Sequence, residues 1–186
     1  MHHHTVTIRP RLDGDLAACA DLVREVHAAD RYPRYLPADI SSFLNPADSY
    51  GCWIAELNGE AAGHVALVAR GLRATIEVAA SVLGRPAGQL AVVARLFVSP
   101  RARGQGAGRL LLETATAQAR SRGLHPVLDV DTELPTAIAL YESAGWSRAG
   151  QITVRWRDDW SGGSAGAGRG PAERVLTEYV YLGPVP

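Results

Sequence analysis

The stretch Leu96-Phe97-Val98-Ser99-Pro100-Arg101-Ala102-Arg103-Gly104-Gln105-Gly106-Ala107-Gly108-Arg109-Leu110-Leu111 decides the fold. An apolar strand enters a basic, glycine-rich turn, and a helical pattern begins directly after it. That order gathers free backbone N–H groups and the positive end of a helix dipole at one place, which is how a phosphate or pyrophosphate is bound. Gly104, Gly106 and Gly108 let the main chain approach the anion without a Cβ in the way. Arg101, Arg103 and Arg109 are placed to add charge-assisted hydrogen bonds.

Working outward, Gln89 to Val98 is a nearly continuous apolar run suited to a sheet centre. Gly106 to Arg122 reads as a helix with Leu111, Ala115 and Ala119 inward and Gly123 as its C-cap. Pro126 to Asp131 is the next strand, and Pro135 opens a helix that ends at Gly145. Gln151 to Trp156 and Arg174 to Leu182 are the last two strands; the glycine-rich segment 158–172 between them reads as a flexible loop. Upstream, Thr5 to Arg9 is a strand. A helix follows, capped by Asp13 or Asp15 and running to about Ala29 with Leu16, Cys19, Ala20, Val23 and Val26 or His27 on one face. Asp30 to Pro46 is aromatic and proline-containing, with a short helix near its end. Tyr50 to Leu57 and Glu60 to Arg70 form a hairpin through Asn58-Gly59. Leu72, Ile76, Ala79, Ala80 and Leu83 recur at helical spacing, which predicts a helical insertion over about 71–88.

Runs of strands with a single strand–helix–strand crossover predict an α/β chain of the α+β type, with a mixed, mostly antiparallel sheet of about six to seven strands. The 186 residues make one domain, over 5–183. His2-His3-His4 reads as a tag-like or disordered start, outside the fold. Formal net charge is zero, and every basic residue is arginine. A broad electrostatic attraction to nucleic acid or an anionic membrane is therefore not expected. No apolar run has membrane length. Cys19 and Cys52 lack metal-ligand spacing and read as reduced structural thiols of a cytoplasmic protein, and no metal site is expected.

The turn admits three ligand readings besides an empty glycine-rich connection. A dinucleotide fingerprint requires G-x-G-x-x-G directly off the strand; here the third position is Arg109, and Ser99 to Arg103 intervenes. A Walker loop requires a lysine, and the chain has none. The third reading fits: Arg103-Gly104-Gln105-Gly106-Ala107-Gly108, preceded by Val98-Ser99-Pro100, resembles the acetyl-CoA pyrophosphate loop of the GNAT superfamily of N-acetyltransferases. Ala137 to Trp146, with Leu140-Tyr141 and Gly145-Trp146, is similar to that superfamily's second conserved segment and follows at a matching distance.

The resemblance implies a GNAT fold, splayed at the cofactor-binding strand pair, and an acetyl-CoA-dependent N-acetyltransferase. It implies that Leu96, Phe97 and Val98 offer main-chain groups to the pantetheine arm, with the Val98 N–H on the thioester carbonyl. Arg103, Gly104, Gln105, Gly106, Ala107 and Gly108 would hold the pyrophosphate, with Arg109 assisting. Tyr141 would serve the departing thiolate. No acid occupies the usual base positions Ala91, Val92 and Val93, which leaves Glu77, His64, Asp129 and Asp131 as candidate bases. Leu134 stands where relatives often carry a cofactor-contacting asparagine. The acceptor, a small-molecule amine or a peptide, would enter over 30–46 and 158–172. The insertion over 71–88 would cap that pocket or join a homodimer interface. An acyl-CoA-binding domain without catalysis is the alternative.

Overall fold

Asn58 and Gly59 both take positive φ, 55° and 84°, so the chain reverses there in the twist that antiparallel strands favour. In the computed structural model, which describes residues 5–157 and 173–185, this turn joins β2 (Ser49–Leu57) to β3 (Glu60–Val68). The readings made for 1–4 and 158–172 lie outside the described residues. β1 (Val6–Pro10) flanks β2, and β4 (Leu90–Val98) follows β3, all antiparallel. The crossover helix α4 (Ala107–Ser121) then carries the chain to β5 (His125–Asp131), which lies parallel to β4. After α5 (Pro135–Ser143) come β6 (Ser147–Arg157) and β7 (Glu173–Leu182). The sheet order is β1-β2-β3-β4-β5-β7-β6, so the last strand inserts beside β5 and pushes β6 to the edge.

Strand alternation divides the side chains between two faces. On one face Trp53, Ala55, Val65, Leu67, Ala91, Val93, Leu128, Val130 and Tyr181 pack under α4 and α5 through Leu111, Leu112, Ala115, Ala119 and Tyr141. On the other face two helical layers share the surface. α1 (Leu16–Asp30) and α2 (Ile40–Leu44) cover Ile54 and Phe97. α3 (Arg73–Leu83) covers Val68, Val92, Val127, Val180 and Ile152. The insertion expected over 71–88 is thus a wall of the core, with Ala79 fully buried. Leu22 joins the buried face of α1, whereas Leu16 and Ala20 only flank it. Asp15 precedes α1 but does not cap it; its carboxylate accepts from the Leu12 N–H at 2.7 Å and pairs with Arg9.

Two features of β4 shape the site. Arg95 has φ of 53°, and the register with β3 slips between His64 and Ala66, so the strand bulges there. Beyond Val92 and Val127, moreover, β4 and β5 have no pairing. The two parallel strands diverge and leave an opening between them.

Candidate active site

Ser99 N–H donates to Ala62 O at 2.8 Å, which fixes the orientation of the end of β4. By the two-residue period, the main chain of Phe97 also faces β3, and that of Leu96 and Val98 faces the opening. Of the three residues expected to offer main-chain groups, Leu96 and Val98 thus have theirs on the side of the opening. Phe97 instead turns its ring to the α1 face, 5.3 Å from the His64 ring in a stacked pair and 6.3 Å from Tyr32.

At the mouth of the opening, Ser99 to Ala102 makes a tight turn and Arg103 to Gly106 leads into α4. Gly104 and Gly106 have φ of 73° and 86°, which side-chain-bearing residues rarely adopt, and nothing lies within 4 Å of where their Cβ atoms would be. Among the described residues the amides of Gly104, Gln105 and Gly106 donate to no protein acceptor. The amides of Ala107, Gly108 and Arg109 open α4 and lack intrahelical partners. Gly108 permits close packing: a Cβ there would sit 3.3 Å from Leu140 Cδ2 and 3.6 Å from Val98 Cγ2. The result is an exposed cradle of N–H donors on a helix dipole, a fit for a pyrophosphate.

The three arginines of this segment are engaged elsewhere. Arg101 bonds Glu60 at 2.6 Å and Ala61 O at 3.0 Å. Arg103 holds both carboxylate oxygens of Asp30 at the end of α1. Arg109 reaches Ser143 Oγ at 2.9 Å and so ties α4 to the end of α5. The sequence suggested a cationic patch; the structure shows an amide cradle whose neighbouring cations are already paired.

Tyr141 projects from α5 into the core on the α4 and α5 face, buried between Trp146 and Tyr181 with ring centroids 6.2 and 6.0 Å away. Burial raises the affinity of its hydroxyl for the proton, and the neighbouring acids Tyr32 and Asp129 act in the same direction. Tyr32 packs on the α1 side and Asp129 bonds Thr75 of α3, on the opposite face of the sheet from Tyr141. Leu134 ends at the helix start without a capping bond and packs into the core beside Tyr141.

The candidate bases separate clearly. His64 is fully buried; its Nδ1 lies 3.0 Å from Arg95 O, and burial lowers its pKa to about 4. It is a neutral brace for the bulge. Glu77 is exposed and paired with Arg73 at 2.6 Å. Asp131 is held by Arg34 at 2.5 Å, an ion pair that pins the segment after α1 to the end of β5. Asp129 remains: partly buried, pushed upward in pKa by burial, it accepts a bond from Thr75 Oγ1 of α3 at 2.6 Å. Tyr32 belongs to the aromatic segment 30–46 expected on the acceptor side, whereas sequence reading missed Thr75 and Glu178; strand alternation in 173–182 was the available signal for Glu178.

The profile of the acetyltransferase (GNAT) family matches residues 16–146. A protein of Rattus norvegicus, N-acetyltransferase 8F1, is 34% identical over 125 residues, 64% of this chain and 50% of the rat protein. The chain thus spans about half the length of that curated relative. The ribosomal-protein-S18-alanine N-acetyltransferase from Escherichia coli superposes with a TM-score of 0.62 at 22% identity, over 97% of this chain and 94% of that one. The structure of yncA from Salmonella typhimurium with its cofactor acetyl-CoA gives 0.58 at 18%, over 96% and 92%.

Proposed function

The chain belongs to the acetyltransferase (GNAT) family, and from that premise we propose that it transfers an acetyl group from acetyl-CoA directly to a primary amine. The observation that carries the reading is the continuity of amide cradle, strand opening and Tyr141. The amides of Gly104, Gln105, Gly106, Ala107 and Gly108 receive the pyrophosphate. The main chains of Leu96 and Val98 receive the pantetheine arm as an added strand partner. Acetyl-CoA supplies a thioester, an electrophilic carbonyl with a thiolate leaving group. A fixed N–H of β4, with Val98 the best placed, stabilises negative charge as it develops on that carbonyl oxygen. Tyr141, fully protonated at neutral pH, donates a hydrogen bond to the departing sulfur.

Direct attack accords with the cysteines. Cys19 is fully buried, and burial pushes its thiol to about 11, so no thiolate forms there. Cys52 contacts Leu44 O at 3.9 Å and lies outside the opening. Both fit a reducing cytoplasm. The acceptor nitrogen approaches from the α1/α3 face, where Tyr32 and Asp129 meet the gap. Its carrier is a small molecule or a peptide terminus, the latter in line with the name of the E. coli neighbour.

The test is release of free thiol from acetyl-CoA over a panel of small amines and alanine-led peptides. The reading expects release that depends on the amine and is lost in Gly106→Glu. Tight cofactor binding with no release on any amine would support the non-catalytic alternative.

A further inference from the structure

Glu178 on β7 has no structural task. Its Oε2 is buried with no hydrogen-bond partner. Opposite it on β6 stands Ile152, and opposite it on β5 stands Asp131. Asp129 faces Val180, so Glu178 and Asp129 are diagonal neighbours on the same sheet face, within reach of a glutamate side chain. Thr75 bonds Asp129 from α3 above. We propose that Asp129 and Glu178 act as one proton-accepting unit, a coupled carboxylate pair that takes the proton from the acceptor's ammonium; this rests on the N-acetyl-transfer reading above.

The charged groups around the pair leave it uncompensated. Arg34, from the segment after α1, is committed to Asp131 and Glu133. Arg95 of β4 lies over the Phe43 ring, 5.0 Å from its centroid. Arg73 and Glu77 of α3 pair with each other in solvent. Tyr32 and Tyr141 are neutral. A buried carboxylate oxygen without a partner costs stability, and a second carboxylate nearby raises the cost. Burial, with the charges of Asp129 and Asp131, moves Glu178 up to about 7. The geometry is not that of a cation cage: among the described residues no three His, Cys, Asp or Glu side chains converge to hold a metal ion.

The location is functional. Asp129 and Glu178 lie near enough to Tyr32, and Asp129 near enough to Tyr141, for their charges to disfavour the tyrosinates. The pair therefore borders the place the amine must reach. There the ammonium proton passes to the pair, and the freed lone pair forms the new N–C bond to the thioester carbon. The C–S bond breaks with its electrons staying on sulfur, beside the Tyr141 hydroxyl. The second proton leaves the nitrogen of the tetrahedral adduct and replaces the one that the Tyr141 hydroxyl gives to sulfur, while the proton on the pair returns to solvent, so each turnover converts one ammonium and one thioester into one amide, one coenzyme A thiol and one released proton.

The experiment is the pH dependence of kcat/KM for the parent, Glu178→Gln and Asp129→Asn, with the best amine of the panel. The parent's acid limb is expected near pH 7. Removing either like charge lets the other acid ionise more easily, so each variant's limb moves about one pH unit or more toward acid. A merely structural role would lower the plateau and leave the limb in place. A second readout needs no turnover. A carboxylate with raised pKa binds more protons folded than unfolded between its ordinary value and about 7, so the parent loses thermal stability as pH rises through that window. Glu178→Gln is expected to lack that slope. Amine transfer with unmoved limbs, or a Glu178→Gln melting profile parallel to the parent's, overturns the pair and leaves the acetyltransferase reading intact. Altered melting slopes without transfer to any amine overturn the assignment to an ammonium, through failure of that reading, while the coupling itself is established.

Discussion

At the scale of single residues, the site divides into groups that act alone and groups that act through neighbours. Gly106 would act through its backbone: with φ of 86° and nothing within 4 Å of where its Cβ would be, its main chain is open to an anion. Gly106→Glu puts a strained, negative side chain at that spot, so we expect loss of coenzyme A binding by calorimetry with the thermal unfolding transition retained. Tyr141→Phe removes one hydroxyl from a packed ring. Turnover should fall by about 10²-fold with little change in acetyl-CoA KM; equal rates for the two proteins would take the residue out of the chemistry. His64 serves the scaffold. Its pKa is lowered to about 4, so the unfolded chain binds the proton first and stability is lost as pH falls from about 6.5 toward 4. His64→Asn should lower the melting temperature at neutral pH and flatten that acid-side decline.

At the scale of elements, legibility followed locality. Asn58-Gly59, the glycine turn with its helix, and Pro135 as a helix start each carry their signal within a few residues, and each stands where the sequence placed it. The place of α3 against the sheet and the insertion of β7 beside β5 depend on pairings far apart in the chain, which periodicity does not encode. Thr75 and Glu178 were hidden for that reason: each looks ordinary in its own segment, and only the topology brings them to Asp129, while Tyr32 stood out in its aromatic segment. The capping reading of Asp15 failed because Arg9 and the Leu12 amide compete for its carboxylate. For α3 the contrast between two positions tests its role as core. Ala79 is fully buried and Val82 is 57% exposed. Ala79→Asp should cost about 3 kcal/mol or more in denaturant unfolding, and Val82→Asp within about 0.5 kcal/mol. Similar small effects at both sites would show that the helix does not pack on the sheet.

At the scale of the whole molecule, the splay of β4 from β5 lets two faces share one site. In the proposed reaction the donor half would lie with α4 and α5, and the acceptor half with α1 and α3. Because Arg101 and Arg103 are paired with Glu60 and Asp30, the cofactor meets hydrogen-bond donors more than net charge. Coenzyme A affinity should therefore weaken only mildly between 50 and 200 mM salt, by less than about tenfold, since few unpaired cations attract its phosphates. A steep loss would show that the arginines abandon their acids for the phosphates. The central claim is direct transfer across this opening, and a single turnover counts it. Enzyme in excess is mixed with acetyl-CoA and an acceptor amine, and intact protein, free thiol and acetylated amine are quantified together by mass. Direct transfer requires acetylated amine and free coenzyme A to appear at equal rates, in equal amounts, with the protein mass unchanged throughout. Acetyl mass on the protein that later passes to the amine, or bound acetyl-CoA that persists with every amine, would contradict it.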